Sequence, residues 1–88
     1  MNPYTLIKQI LTENSFGKLV EGLTENQMID TIKDEFLGDI DIKQDFNTNK
    51  QLIYNKFYDK NSISIYSIFS EDDVEDLYEA TQKLILGK

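Results

Sequence analysis

The sequence lacks cysteine, histidine, tryptophan and arginine, and it has a single proline in 88 residues. Without cysteine the chain can form neither a disulfide nor a cysteine-ligated zinc site. Without histidine and cysteine it also lacks the most common general base, the usual zinc ligands and the thiol nucleophile. These absences predict a protein that is not an enzyme, with no catalytic residue, no metal ligand and no cofactor.

Long hydrophobic runs are also missing. No apolar stretch approaches the roughly 20 residues needed to cross a bilayer, and residues 1–11 lack the core of a signal peptide. The sequence therefore predicts a cytoplasmic protein that does not bind a membrane. With 40% hydrophobic and 11% aromatic residues, the chain is expected to fold as one domain over residues 1–88.

Charge of one sign dominates the chain. The net charge is −7, and the acids are concentrated in residues 1–46 and 71–88, whereas residues 47–70 are slightly basic. Phosphate backbones repel a chain of this sign, so direct binding of nucleic acid is not expected. A protein partner with a basic surface, such as a toxin or a nuclease, is the expected complement.

Local signals predict two helices in the N-terminal part. Asn2 can cap the first helix, and Pro3 suits the first helical position. Thr24 and Gln27 form a capping box that opens the second helix, which is expected to end at Gly38.

The apolar period then changes from helical spacing to alternation. Strands are predicted over residues 40–46, 52–58 and 62–69, separated by short polar turns. Three neighbouring strands with short turns indicate an antiparallel meander. The expected fold class is α+β in the order ααβββα, with two N-terminal helices, a three-stranded antiparallel sheet and a C-terminal helix. The predicted core comprises Leu6, Ile10, Ile29, Ile32, Phe36, Ile40, Ile42, Ile63, Ile65, Leu77 and Leu84.

The C-terminal helix begins in an acidic run, FSEDDVEDLYEA, at residues 69–80. Ser70 can cap this helix, and Glu71 and Asp73 fall in its first turn, where the helix dipole favours negative charge. The other four acids lie opposite the apolar stripe of the helix: Asp72, Glu75, Asp76 and Glu79. These four form either a solvated face or a surface that steers a basic partner.

The predicted sheet gathers three tyrosines on one face. If Ile53 and Phe57 face the helices, side-chain alternation puts Tyr54, Tyr58 and Tyr66 on the other face. Tyrosines are favoured at interfaces because they combine a large apolar area with a polar tip. Either the C-terminal helix covers this face, or the tyrosines anchor a partner. The predicted partner-binding residues are Tyr54, Tyr58, Tyr66, Asp72, Glu75, Asp76 and Glu79.

Two other sequence patterns suggest a binding site, but each lacks a feature that the site requires. Asp39, Asp41 and Asp45 suggest a calcium loop, but Lys43 occupies the third ligand position and no central glycine follows. Two helices followed by a predicted hairpin suggest a winged helix. However, residues 25–37 carry four acids and one lysine, which is the wrong sign for DNA.

Residues 15–38, SFGKLVEGLTENQMIDTIKDEFLG, contain Phe16, Lys18-Leu19, Gly22-Leu23-Thr24, Gln27-Met28 and Leu37-Gly38. This segment resembles the helix-opening signature of the family that includes the β-lactamase inhibitory protein and the small lipoprotein of the barrel-assembly machinery. Similar motifs occur in small cytosolic immunity-like proteins. The resemblance implies a helix pair followed by antiparallel strands, and protein binding through the sheet face and loops.

These observations together predict a non-enzymatic acidic protein that inhibits another protein by stoichiometric binding. The favoured hypothesis is a cytosolic immunity protein that neutralises a cognate bacterial toxin. The alternative is a phage-encoded inhibitor of a host defence nuclease, of the anti-CRISPR or DNA-mimic type. A regulatory or structural interaction module is a third class that the sequence leaves open.

Overall fold

The computed structural model describes residues 2–87, and 73% of these residues are helical. Within this range there are five α-helices and no strand. The α-helices are α1 (Pro3–Glu13), α2 (Gly17–Val20), α3 (Glu25–Ile32), α4 (Phe46–Asn61) and α5 (Glu71–Leu86). A π-helical segment, Lys33–Leu37, continues α3, and a 3₁₀ turn, Ile65–Ser67, precedes α5.

The predicted α+β fold is therefore wrong. Of the first predicted strand, residues 40–45 form a loop and Phe46 begins α4. Residues 52–58 lie inside α4, and residues 62–69 form a loop around the 3₁₀ turn. The strand order that the family resemblance implies is likewise absent from residues 2–87.

Helix α4 begins at a cap that the sequence reasoning interpreted as the end of a strand. The Asp45 carboxylate accepts hydrogen bonds from the Thr48 backbone N–H at 2.8 Å and from the Thr48 hydroxyl at 2.6 Å. Residues 47–49, predicted as a turn, are thus the first turn of the helix. Phe46, Ile53 and Phe57 are buried along one side of α4.

A buried polar residue interrupts the helical spacing of apolar residues in α4, so the sequence did not indicate a helix there. Asn49 continues the buried side of the helix and is only 6% exposed. Its amide donates to the Asp41 carbonyl at 2.8 Å and to the Tyr78 hydroxyl at 2.9 Å, and Tyr78 in turn donates to the Gln44 carbonyl. These bonds hold the loop before α4 against α4 and α5 without a sheet ladder.

The connection between α4 and α5 is made by short-range capping. Ser62 adopts a left-handed conformation (φ 60°) at the end of α4, and Ser64 accepts a hydrogen bond from the Tyr66 N–H at 3.1 Å. Ile65, the first residue of the 3₁₀ turn, and Phe69, which follows the turn, are both buried. Ile63, predicted to lie in the core, is instead 47% exposed, because it belongs to the loop and not to a strand with one inward face.

The three predicted helices are confirmed, with differences in their extent. Asn2 caps α1, the Thr24–Gln27 capping box opens α3, and Ser70 caps α5. The second predicted helix ends as a π-helical segment before Gly38, which has φ 75°. A side chain at Gly38 would be strained at this φ, and its Cβ would lie 2.7 Å from the Lys56 side chain.

The core lies between α1, α3, α4 and α5, and a group of phenylalanines occupies part of it. Phe36 packs edge-on against Phe16 and Phe69, with ring centroids 5.2 and 5.3 Å apart, and is stacked with Phe57 at 6.4 Å.

Of the predicted core, the residues that are buried are Ile10, Ile32, Phe36, Ile65 and Leu77. Those that are half-buried are Leu6, Ile29, Ile40, Ile42 and Leu84. In the range 2–87, no helix is both long and apolar enough to cross a membrane.

Candidate functional site

The structure brings the three predicted tyrosines to one surface, although no sheet carries them. Tyr54 and Tyr58 are four residues apart on α4, so they lie on the same side of the helix. Tyr66 reaches them from the 3₁₀ turn, and its ring stacks on that of Tyr54 with centroids 6.0 Å apart and planes at 29°. We call these three residues the tyrosine surface.

The burial of neighbouring residues explains why the tyrosines lie at the surface. On α4, Ile53 and Phe57 take the inward positions, which leaves Tyr54 half-buried at the side and Tyr58 50% exposed. In the 3₁₀ turn, Ile65 is fully buried, so the next residue, Tyr66, is directed toward the surface.

Two shallow open depressions flank Tyr54. One has a volume of about 270 Å³ and is lined by Asn47, Lys50, Gln51, Tyr54 and Tyr66. The other has a volume of about 510 Å³ and is lined by Tyr54, Asn55, Tyr58 and Asp59. Their linings mix tyrosine with amide and charged side chains, a composition that is common at protein-binding surfaces.

A charged pair borders the tyrosine surface where α4 meets the start of α5. The Lys50 ammonium donates a hydrogen bond to the Glu71 carboxylate. That bond raises the pKa of Lys50 above its usual value, and the nearby charge of Glu75 acts in the same direction. Burial raises the pKa of the Tyr66 phenol above its ordinary value.

The four predicted steering acids do not form one group. Glu75 is half-buried, and its charge acts on Lys50, which lines the depression beside Tyr54 and Tyr66. Asp76 and Glu79 instead border a small depression of about 80 Å³ against Pro3 and Leu6 of α1. Asp72 is exposed.

Sequence reasoning missed Lys50 and gave Glu71 only a role in the helix dipole. The two residues are 21 positions apart, and the contact depends on how α4 packs against α5, so no local pattern indicates it. A helical reading of residues 46–61 would have found part of the site, because Lys50, Tyr54 and Tyr58 follow one another at intervals of four residues.

The described part of the chain offers no group of three or more carboxylate, histidine or cysteine side chains placed to hold a metal ion. Every buried side-chain nitrogen and oxygen within residues 2–87 has a hydrogen-bond partner. The side chains at the tyrosine surface can take part in aromatic stacking, hydrogen bonding and ion pairing.

No protein-family model, curated protein or solved structure matches this chain.

Proposed function

We propose that this protein is a non-enzymatic inhibitor that binds one protein partner stoichiometrically through the tyrosine surface. The partner class that we propose is a bacterial toxin with a basic surface, which makes this chain an immunity protein. The observation that carries the proposal is the convergence of Tyr54 and Tyr58 of α4 with Tyr66 of the 3₁₀ turn at one partly exposed surface.

The chemistry of tyrosine supports a binding role for this surface. A tyrosine ring offers a large contact area and loses little conformational entropy on binding, and its hydroxyl can remain hydrogen-bonded in a desolvated interface. Tyr54 and Tyr66 already restrict each other by stacking, so less ordering is needed when a partner binds.

The charge of the molecule supports a basic partner. The net charge is −7, the Lys50–Glu71 pair borders the tyrosine surface, and the charge of Glu75 acts on Lys50. Acids placed in this way mainly raise the association rate of a basic partner.

The fold that the family resemblance implies is wrong for residues 2–87, so the proposal takes no support from that resemblance. It rests on the tyrosine surface and on the charge of the chain alone.

Co-expression tests the proposal. The products of genes that neighbour this one are expressed singly in a sensitive host, and each toxic product is then expressed together with this chain. We expect one toxic product to be neutralised, and we expect it to form a complex of one to one with this chain. The Tyr54→Ala/Tyr66→Ala protein should lose both effects while remaining helical by circular dichroism.

Three results would contradict the proposal in different ways. Rescue that survives removal of the tyrosines would exclude the tyrosine surface. Rescue at substoichiometric levels of this chain, with chemical change in the toxin, would indicate an enzyme. Inhibition of a host defence nuclease, with no toxin neutralised, would favour the phage-inhibitor alternative.

A further inference from the structure

The depression between Tyr54 and Tyr58 combines aromatic rings with an acid that has no cationic partner. Tyr54, Asn55, Tyr58 and Asp59 line it, and its volume is about 510 Å³. Within residues 2–87, Asp59 takes part in no ion pair. The adjacent cation, Lys60, pairs with Glu35 at 3.5 Å on another side of α4. The depression is therefore lined by two tyrosines and by an acid that forms no ion pair within residues 2–87.

Elsewhere, the chain supplies its own cation to an exposed or half-buried tyrosine. The Lys8 ammonium lies 5.7 Å from the centre of the Tyr4 ring. The Lys50 ammonium binds Glu71, and its charge acts to lower the pKa of the nearby Tyr66 phenol, so that part of the tyrosine surface already has a cation. No lysine lines the depression at Tyr58, so a cation that fills it must come from outside the described chain.

We infer that this depression binds an arginine side chain of the protein partner. A guanidinium group is planar, stacks on aromatic faces and donates up to five hydrogen bonds. In this depression it can stack on the Tyr58 ring and donate hydrogen bonds to the Asp59 carboxylate and the Asn55 side-chain oxygen, since all three residues line it. That oxygen already accepts a hydrogen bond from Gln51 at 2.9 Å and keeps a second lone pair.

The openness of the site favours arginine over lysine. Tyr58 is 50% exposed, so a cation bound here stays in contact with water. An ammonium group is strongly hydrated and gains little by approaching a wet ring, whereas the guanidinium faces are weakly hydrated and stack without losing their in-plane hydrogen bonds. The inference rests on the proposed function for the identity of the partner, but the ligand chemistry can be tested without one.

The test is a titration of the isotope-labelled protein, followed by nuclear magnetic resonance, with N-acetyl-arginine-N-methylamide. The same titration with N-acetyl-lysine-N-methylamide at equal ionic strength is the reference. We expect the arginine compound to shift resonances of residues 54–59 and to bind about 2- to 5-fold more tightly than the lysine compound. Tyr58→Leu and Asp59→Asn should each abolish this preference. Asp72→Asn removes the same charge from an exposed position on α5 and should leave it unchanged.

Equal binding of the two compounds, shifts spread evenly over the acidic surface, or no shift up to the solubility limit would each overturn the inference. So would a preference that survives both Tyr58→Leu and Asp59→Asn. These failures are distinct from failure of the proposed function. A toxin that binds through Tyr54 and Tyr66 but is unaffected by Asp59→Asn overturns only the arginine site, whereas arginine binding without any neutralised toxin overturns only the immunity role.

Discussion

Helix α4 separates two aromatic groups with similar ring spacing and different surroundings. On its inner side, Phe57 stacks with Phe36 at a centroid distance of 6.4 Å, and both rings are buried. On its outer side, Tyr54 stacks with Tyr66 at 6.0 Å, and both rings remain partly exposed. The comparison shows that ring contact alone does not measure a contribution to folding. A ring contributes to folding in proportion to the apolar area that it removes from water. The outer pair, Tyr54 and Tyr66, keeps part of that area exposed and available for a partner.

Truncation within the inner group should give the largest effect on folding. Phe36 is 4% exposed and contacts the rings of Phe16, Phe57 and Phe69, so Phe36→Ala leaves a cavity that these rings cannot fill. We expect a loss of about 3–5 kcal/mol in the free energy of unfolding, measured by urea denaturation. Tyr58→Ala, which truncates an outer ring, should change it by less than about 1 kcal/mol. Equal losses would remove the distinction between the two groups.

A buried tyrosine should behave like the inner group and unlike the tyrosine surface. The Tyr78 hydroxyl bonds to Asn49 and to the Gln44 carbonyl, and Tyr78→Phe leaves both without that partner. We expect a loss of about 1–3 kcal/mol in unfolding free energy. Tyr54→Phe is the matched control, because the half-buried Tyr54 forms no hydrogen bond through its hydroxyl within residues 2–87. A similar loss in both variants would contradict the role assigned to the Tyr78 hydroxyl.

The outer stack itself should contribute modestly to folding. A double-mutant cycle with Tyr54→Leu and Tyr66→Leu should give a coupling energy of about 0.5–1.5 kcal/mol, at the low end because the rings are partly exposed. The measurement is urea denaturation of the two single variants and the double variant. A coupling energy of zero would mean that the two rings are adjacent without stabilising each other.

Charge reversal on α5 should separate the two groups of acids once a partner is available. Glu75→Lys and Asp76→Lys change the net charge equally, but the charge of Glu75 acts on Lys50 at the tyrosine surface, whereas Asp76 borders the depression against α1. On the proposed function, Glu75→Lys should slow association more than Asp76→Lys and should reduce the salt dependence of the rate. The measurement is stopped-flow association at low and moderate salt. Identical rates for both variants would assign the acids to general solvation of the helix.

Alkaline titration should give the smallest effect. Burial raises the pKa of Tyr66 and of Tyr78. Above the ordinary tyrosine pKa of about 10, the unfolded chain loses these protons before the folded chain does. Stability is therefore fully present below that pH and falls as the pH rises through the folded-state values. The slope of unfolding free energy against pH in this window should be smaller in Tyr66→Phe and in Tyr78→Phe. An unchanged slope in both variants would contradict the attribution of this pH dependence to Tyr66 and Tyr78.

The parts of the fold that the sequence predicts correctly are those where the signal is contained within one helix turn. The Asn2 cap, the Thr24–Gln27 capping box and the Ser70 cap each depend on residues no more than three positions apart, and all three are present. Asp45 supplies an equally local signal for α4. Sequence reasoning passed over it because Asn47-Thr48-Asn49 also fits a turn and because Ile, Phe and Tyr are common in strands.

The tyrosine surface shows how a site prediction can select residues for an incorrect structural reason. Tyr54 and Tyr58 lie on one side of a strand at even spacing and on one side of a helix at spacing four, so either structure groups them. Only the packing of the 3₁₀ turn against α4 places Tyr66 on the Tyr54 ring. Only the approach of α5 to α4 divides the acids, with Glu75 near the tyrosines and Asp76 near α1.

The sign of the charge, the absence of cysteine and histidine, and the starts of three helices can be read from the sequence, because each depends on composition or on neighbours within one turn. Contacts between distant elements settle that residues 46–61 form a helix with loops on both sides and that residues 40–69 form no sheet. Asn49 can occupy a buried helical position only because the Tyr78 hydroxyl and the Asp41 carbonyl, 29 and 8 positions away, satisfy its amide. A polar group can be buried only where a partner meets it, and that partner comes from another element of the fold.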